Sequence, residues 1–131
     1  MRALTSYIGK SVLILVFASG LSFSKAAGQP GGRLIVTRTA NFGWNLAANL
    51  KLDGRTVANI VQGRRYDHFI PAGRHVLTIS AVPNVELRRA TSITVHIRPG
   101  KTYVFTALWD YDHVYLRPTT LSPAEMAKLG L

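Results

Sequence analysis

Two aspartate–histidine groupings, Asp67-His68 and Asp110-x-Asp112-His113, hold the residue types in this chain best suited to acid–base or metal chemistry. A carboxylate that orients an imidazole is the centre of many general-base sites. Neighbouring side chains on an extended strand, however, point to opposite faces. Neither aspartate therefore orients the histidine beside it unless the backbone bends. Asp110 to His113 falls at an expected hairpin tip, where bending is available, but a metal there would need several ligands converging at about 2 Å. Nucleophiles are scarce. Beyond residue 26 the serines are Ser80, Ser92 and Ser122, none in a nucleophile-elbow context, and the chain has no cysteine. Glu86 and Glu125 are the glutamates, one in a loop and one in the tail, so a glycosidase-type carboxylate pair would need the aspartates to converge through folding. His75 follows a turn glycine and reads as a structural turn residue, and His96 projects outward from a strand. The expectation is a domain that is not an enzyme, with no cofactor and no metal; a hydrolase or metal-binding protein built on the Asp–His pairs is the alternative.

Binding chemistry is better represented. Trp109, Tyr111 and Tyr115 are interleaved with Asp110 and Asp112, and carbohydrate binders set flat aromatic faces beside carboxylates in this way. Trp109 and Tyr115 serve equally as core and strand-edge residues, since aromatics favour strands generally. Trp44, after Phe42-Gly43, stands between two strands and is placed to cap one end of a sandwich. The chain is basic, with sixteen Lys and Arg against six acidic residues. Three of the sixteen precede residue 27, and ten of the remaining thirteen are arginine, whose planar fork grips carboxylate and phosphate bidentately. Arg64, Arg65, Arg74, Arg88 and Arg89 flank expected strand ends, and strand ends gather at the rims of a sandwich. Two or three of them sharing one rim would make a site for an anionic envelope polymer or glycan. Nucleic acid is not an expected partner.

The first 26 residues read as an address. Arg2 and Lys10 give a positive leader, Ser11 to Leu21 is an apolar run too short for a comfortable membrane span, and Ser24-Lys25-Ala26 puts small residues where a signal peptidase needs them. Residues 1–26 are thus expected to be a cleaved signal peptide, leaving an exported periplasmic or envelope protein. Contact with the membrane comes only through the leader before cleavage; a kept segment would act instead as an anchor. Residues 27–32 (with Gly28-Gln-Pro-Gly-Gly32) read as a flexible linker, and residues 33–131 as one domain of a size that closes a core without metal or disulfide.

Within that domain the apolar residues recur at every second position, the mark of half-buried strands. Leu46, Ala48, Leu50 and Leu52 share one face. Asp53-Gly54 is a hairpin signal, and a three-residue loop there, preferred over a two-residue one, turns Thr56, Ala58 and Ile60 inward. Thr91, Ile93, Val95 and Ile97 point inward, with Ser92, Thr94, His96 and Arg98 outward. Pro99-Gly100 favours a turn that splays its flanking strands, so the chain is expected to pass between sheets there. Ser122 as N-cap, Pro123 in the first turn, Glu125 three residues on and Gly130 as stop predict one short helix. The fold class is all-β: an antiparallel β-sandwich of about seven to eight short strands with a short C-terminal helix.

Two phrases, Leu52-Asp-Gly-Arg-Thr-Val57 and Ile70-Pro-Ala-Gly-Arg-His-Val-Leu77, together with Arg98-Pro-Gly-Lys-Thr-Tyr-Val-Phe105, resemble the PEGA-type and related β-sandwich domains of exported bacterial proteins. The likeness spans about Leu50 to Phe105, and the literal Pro-Glu-Gly-Ala tetrapeptide is absent. It implies a sandwich fold and an envelope location, with no catalytic residues to carry over. The reading makes an envelope protein or polymer the expected partner. It also predicts that protein isolated from its own host begins within a few residues of Ala27; N-terminal sequencing that returns Met1 from a membrane pellet would establish the anchored form instead.

Overall fold

A computed structural model describes residues 29–131; the expected leader, 1–26, lies outside the described residues. Eight strands are formed: β1 (Gly31–Arg38), β2 (Ala47–Leu52), β3 (Arg55–Ile60), β4 (Tyr66–Pro71), β5 (Gly73–Val82), β6 (Thr91–Ile97), β7 (Thr102–Trp109) and β8 (Val114–Pro118), followed by helix α1 (Pro123–Lys128). They make two four-stranded sheets, ordered β4-β1-β7-β8 and β3-β2-β5-β6. Every pairing is antiparallel except that of β1 with β7. The reason is directional. The chain runs up and down strictly, so two odd-numbered strands that become neighbours point the same way. Among the described residues no helix is long and apolar enough to cross a membrane.

Alternation builds the core. Leu34 and Val36 of β1, Ala48 and Leu50 of β2, Leu77 and Ile79 of β5, Val95 and Ile97 of β6, and Phe105 and Ala107 of β7 meet between the sheets, with Phe42 filling one end. At roughly 25 cal/mol per Å² of apolar surface removed from water, this burial is the main stabilising contribution. On the outer face of β2, Asn49 is buried too, and its amide donates to Asn59 Oδ1 at 2.8 Å, which offsets the cost of its desolvation.

Three local expectations need correction. Order begins at Gly31, not Arg33, so the strand takes in two residues of the expected linker. Gly32 is buried there, and only glycine fits, because a Cβ at that position would lie 2.5 Å from the Lys101 carbonyl oxygen. The β2–β3 loop has two residues, not three, since Leu52 pairs directly with Arg55. Asp53 and Gly54 take φ of 51° and 85°, the paired positive angles of a tight hairpin turn. A bulge opposite Leu50/Lys51 then shifts the register, so that Ala58 and Ile60 face inward after all while Thr56 stays exposed. Trp44 caps nothing; it is 81 % exposed, and Phe42 occupies the end it was expected to close.

Pro99-Gly100 does carry the chain from one sheet to the other, between β6 and β7. The helix has its capping box: the Ser122 hydroxyl accepts from the Glu125 amide, and the Glu125 carboxylate accepts from the Ser122 amide. Glu125 is held below the usual carboxylate range mainly by that amide. Because Gly54 has φ of 85° and open space around it, Gly54→Val should be resisted by backbone strain alone. A loss on the order of 1–3 kcal/mol is expected in chemical denaturation; an unchanged midpoint would mean that the turn adapts without cost.

Candidate functional site

Because the strands alternate in direction, the connections 39–46, 61–65, 83–90 and 110–113 lie at one end of the sandwich, and 53–54, 72 and 98–101 at the other. The first is called the loop end and the second the turn end. Arg64, Arg65, Arg88 and Arg89 are at the loop end; Arg74, at the start of β5, is at the turn end. Five arginines therefore do not form one rim. Nor do the four at the loop end sit together: Arg64 and Arg65 lie between edge strands β3 and β4, while Arg88 and Arg89 sit in the loop leading to β6.

Several of these arginines are engaged. The Arg88 guanidinium stacks 3.8 Å from the centre of the Trp109 ring and donates through Nε to the Asp110 carbonyl at 2.7 Å. Arg89 donates to the Asp112 carboxylate at 2.7 Å. Arg65 lies 3.7 Å from Asp67, whose main partner is Arg33 through a bidentate pair at 2.7 and 2.8 Å. That pairing with Arg33 holds the Asp67 carboxyl below its usual range. Trp109 is a brace rather than an open platform. One ring face carries Arg88, and Nε1 donates to the Phe42 carbonyl at 2.9 Å. Tyr111, by contrast, is 97 % exposed at the hairpin tip.

The Asp–His doublets separate as strand geometry requires. Asp67 faces Arg33, whereas the His68 ring lies 4.6 Å from the ring of Tyr66. In the β7–β8 hairpin the backbone bends, and His113 approaches Asp110, not Asp112. Asp110 Oδ1 accepts the amides of Asp112 and His113 at 2.8 and 2.9 Å, and these amides depress its titration. His113 Nδ1 lies 3.0 Å from the same oxygen. That oxygen is already shared by two amides, and the buried ring nitrogen is left without an aligned hydrogen bond. Among the described residues no three His, Asp or Glu side chains gather as a metal site.

The turn end holds an acid–base pair that the sequence does not display, because its members are 22 residues apart. Asp53 Oδ2 lies 2.6 Å from His75 Nδ1, Asp53 Oδ1 accepts the Val76 amide at 2.8 Å, and His75 Nε2 lies 2.8 Å from the Pro71 carbonyl. The Leu-Asp-Gly phrase and the Pro-x-Gly-x-His phrase thus meet in space. With an acceptor at each ring nitrogen, the protonated imidazole is the favoured form. His75 is raised above its ordinary value mainly by the bond to Asp53, and Asp53 is lowered mainly by the bond to His75 and then by the Val76 amide.

No protein-family model matches the chain, and no curated protein matches it.

The Asp53–His75 pair sets a pH signature. Asp53, depressed in the folded state, adds stability that is present above the ordinary carboxylate range and lost as pH falls through its folded value. His75, raised, adds stability that is fully present below about 6.5 and lost as pH rises through its folded value. The pair therefore stabilises most between the two, and the melting midpoint should fall as pH rises from about 6 into the alkaline range. His75→Gln and Asp53→Asn should each flatten that slope; a wild-type slope in either variant, measured by thermal melts across pH, would show that the pair does not set it.

Proposed function

We propose that this protein is an exported, non-catalytic β-sandwich acting as an interaction module of the bacterial periplasm or cell envelope, with the loop end as its contact surface. Export is supported by the leader sequence, and the envelope setting by the resemblance of the turn phrases. The contact surface is supported chiefly by Leu87. This residue has φ of 55° and is 84 % exposed. A left-handed conformation costs a non-glycine residue about 1–2 kcal/mol. Leu87 does not offset that cost by burial within the fold. A strained and exposed leucine is accounted for by a contact outside the molecule.

Its surroundings hold it in place. The Leu87 amide donates to the Asn84 carbonyl at 3.2 Å, the Arg88 amide to Asn84 Oδ1 at 3.0 Å, and the Asn84 side-chain amide to the Arg88 carbonyl at 2.8 Å. Val85 in the same loop is 66 % exposed, and Trp44 and Tyr111 stand on the two loops braced to it through Trp109 and Arg88. Exposed apolar side chains at one end of a domain are a feature of interaction sites when they form a continuous patch. Trp, Tyr and Arg are the residues on which protein interfaces most depend, so an envelope protein is the partner class favoured. Cross-bracing keeps the loops ordered before contact, which reduces the entropy lost on binding.

The test is a Trp44→Ser/Leu87→Asn variant produced in the native host. Asn tolerates the left-handed region, so its thermal midpoint should equal or exceed that of the Leu87 chain. On gel filtration of the native envelope fraction, wild-type protein should elute within a larger complex and the variant as free monomer. Co-elution of the folded variant in the same complex, or a monomeric wild type, would overturn the reading.

A further inference from the structure

At the turn end a pocket of about 380 Å³ is lined by His96, Arg98, Lys101, Thr102 and Tyr103. Each of the five side chains carries a hydrogen-bond donor, and no carboxylate lines the pocket. Arg74 stands directly across from His96 in the β5–β6 register, on the same outward face, and adds a further positive charge beside it. Among the described residues, Arg74, Arg98 and Lys101 take part in no ion pair. Asp53, at the same end, is occupied by His75 and the Val76 amide. The contrast with the loop end is one of engagement, since Arg65, Arg88 and Arg89 there have partners already.

The pocket is built in advance. Arg98 and Lys101 flank the Pro99-Gly100 turn, and backbone bonds lock that turn onto β1: the Gly100 amide donates to the Gly31 carbonyl at 2.9 Å and the Arg33 amide to the Lys101 carbonyl at 2.9 Å. The Arg98 amide donates to the Tyr103 hydroxyl at 2.8 Å, which orients the tyrosine on the pocket wall. Absence of a Cβ at Gly32 lets the turn sit this close. The two cationic side chains thus leave a fixed backbone, so ordering them costs only side-chain freedom.

We propose that this pocket is a binding site for a phosphate group borne on a sugar. An arginine fork and a lysine point charge are the cations used to hold phosphate. The three terminal oxygens of a phosphate monoester offer more acceptor positions than the two of a carboxylate, enough to use the donors of Thr102 and His96 as well. The volume lies within the roughly 300–1,000 Å³ range of small-molecule sites. It exceeds what a bare oxyanion fills, and the half-buried Tyr103 ring adjoins the space a sugar would take. The site is independent of the contact surface at the opposite end.

Isothermal titration calorimetry at low salt tests this on the protein isolated from its own host, with glucose 6-phosphate, inorganic phosphate and glucose as probes. Saturable binding of glucose 6-phosphate is expected, weakening as salt rises because exposed charges are screened, with none for glucose. Arg98→Ala/Lys101→Ala should weaken it about tenfold or more, since two charge-assisted bonds are removed. Arg98→Gln/Lys101→Gln, which keeps the bulk and polarity of the turn, should do the same. Arg64→Ala/Arg65→Ala at the other end should leave binding unchanged. Tighter binding of glucose 6-phosphate than of inorganic phosphate supports the sugar-borne group. Equal affinities would overturn that part and leave a site for the free ion. No saturable binding of either, undiminished binding by both turn-end variants, or equal loss in the loop-end variant would overturn the site itself.

Discussion

The loop end of the sandwich is closed by one guanidinium. Arg38, the last residue of β1, donates through one terminal nitrogen to the Gly43 carbonyl at 2.6 Å and through the other to the carbonyls of Leu46 and Ile60, the latter at 3.3 Å. Its guanidinium carbon lies 5.1 Å from the centre of the fully buried Phe42 ring. Carbonyls near strand ends need partners once they leave solvent, and here one side chain supplies three connections at once. Desolvation lowers the titration of Arg38, but a guanidinium remains charged throughout the physiological range. Hydrogen bonds to a charged group contribute more than neutral ones, about 1.5–3 kcal/mol for a well-formed bond. Arg38 is therefore what lets two separate loops lie down over the core.

From Arg38 the bracing continues sideways. Phe42, pinned beneath the guanidinium, offers its carbonyl to Trp109, Trp109 carries Arg88 on its face, and Arg88 reaches the Asp110 carbonyl. A chain of neighbouring contacts thus ties β1 to the β5–β6 and β7–β8 loops. The turn end is held differently. Its connections are short, and the Asp53–His75 pair joins two of them. One end is an extended surface on long braced loops, the other a set of tight turns; the same directional rule that makes β1 and β7 parallel assigns every connection to its end.

Period-two patterning carried most of the fold. The inward and outward faces of β6 follow the alternation of Thr91 to Arg98 without exception, and the capping residues of α1 are local signals that act locally. What escaped depended on contacts between distant segments. The bulge in β3 was hidden because alternation records which residues are apolar, not where a register slips. The role of Arg38 is not written locally, because nothing around it in sequence shows that the carbonyls of Gly43, Leu46 and Ile60 will converge on it. How the rim arginines divide, Arg74 at one end and the other four at the opposite one, is not legible locally, since strand order decides which end each one reaches.

The two ends differ in how their polar groups are spent, and that difference bears on function. At the loop end most cations brace the loops, and among the large apolar side chains facing solvent there are Trp44, Val85, Leu87 and Tyr111, a kind of surface that gains from meeting a partner that excludes water. At the turn end the acid is consumed by His75, and the residues left over are cations on a locked backbone. A cation without a partner is well solvated, and only a ligand that replaces water with several aligned acceptors improves on that state. The two ends thus present different surfaces, one with exposed apolar side chains on braced loops and one with unpaired cations on tight turns. Between them lies the core, closed at the loop end by Arg38, while the exposed Asp53–His75 pair ties two of the turns together at the other end.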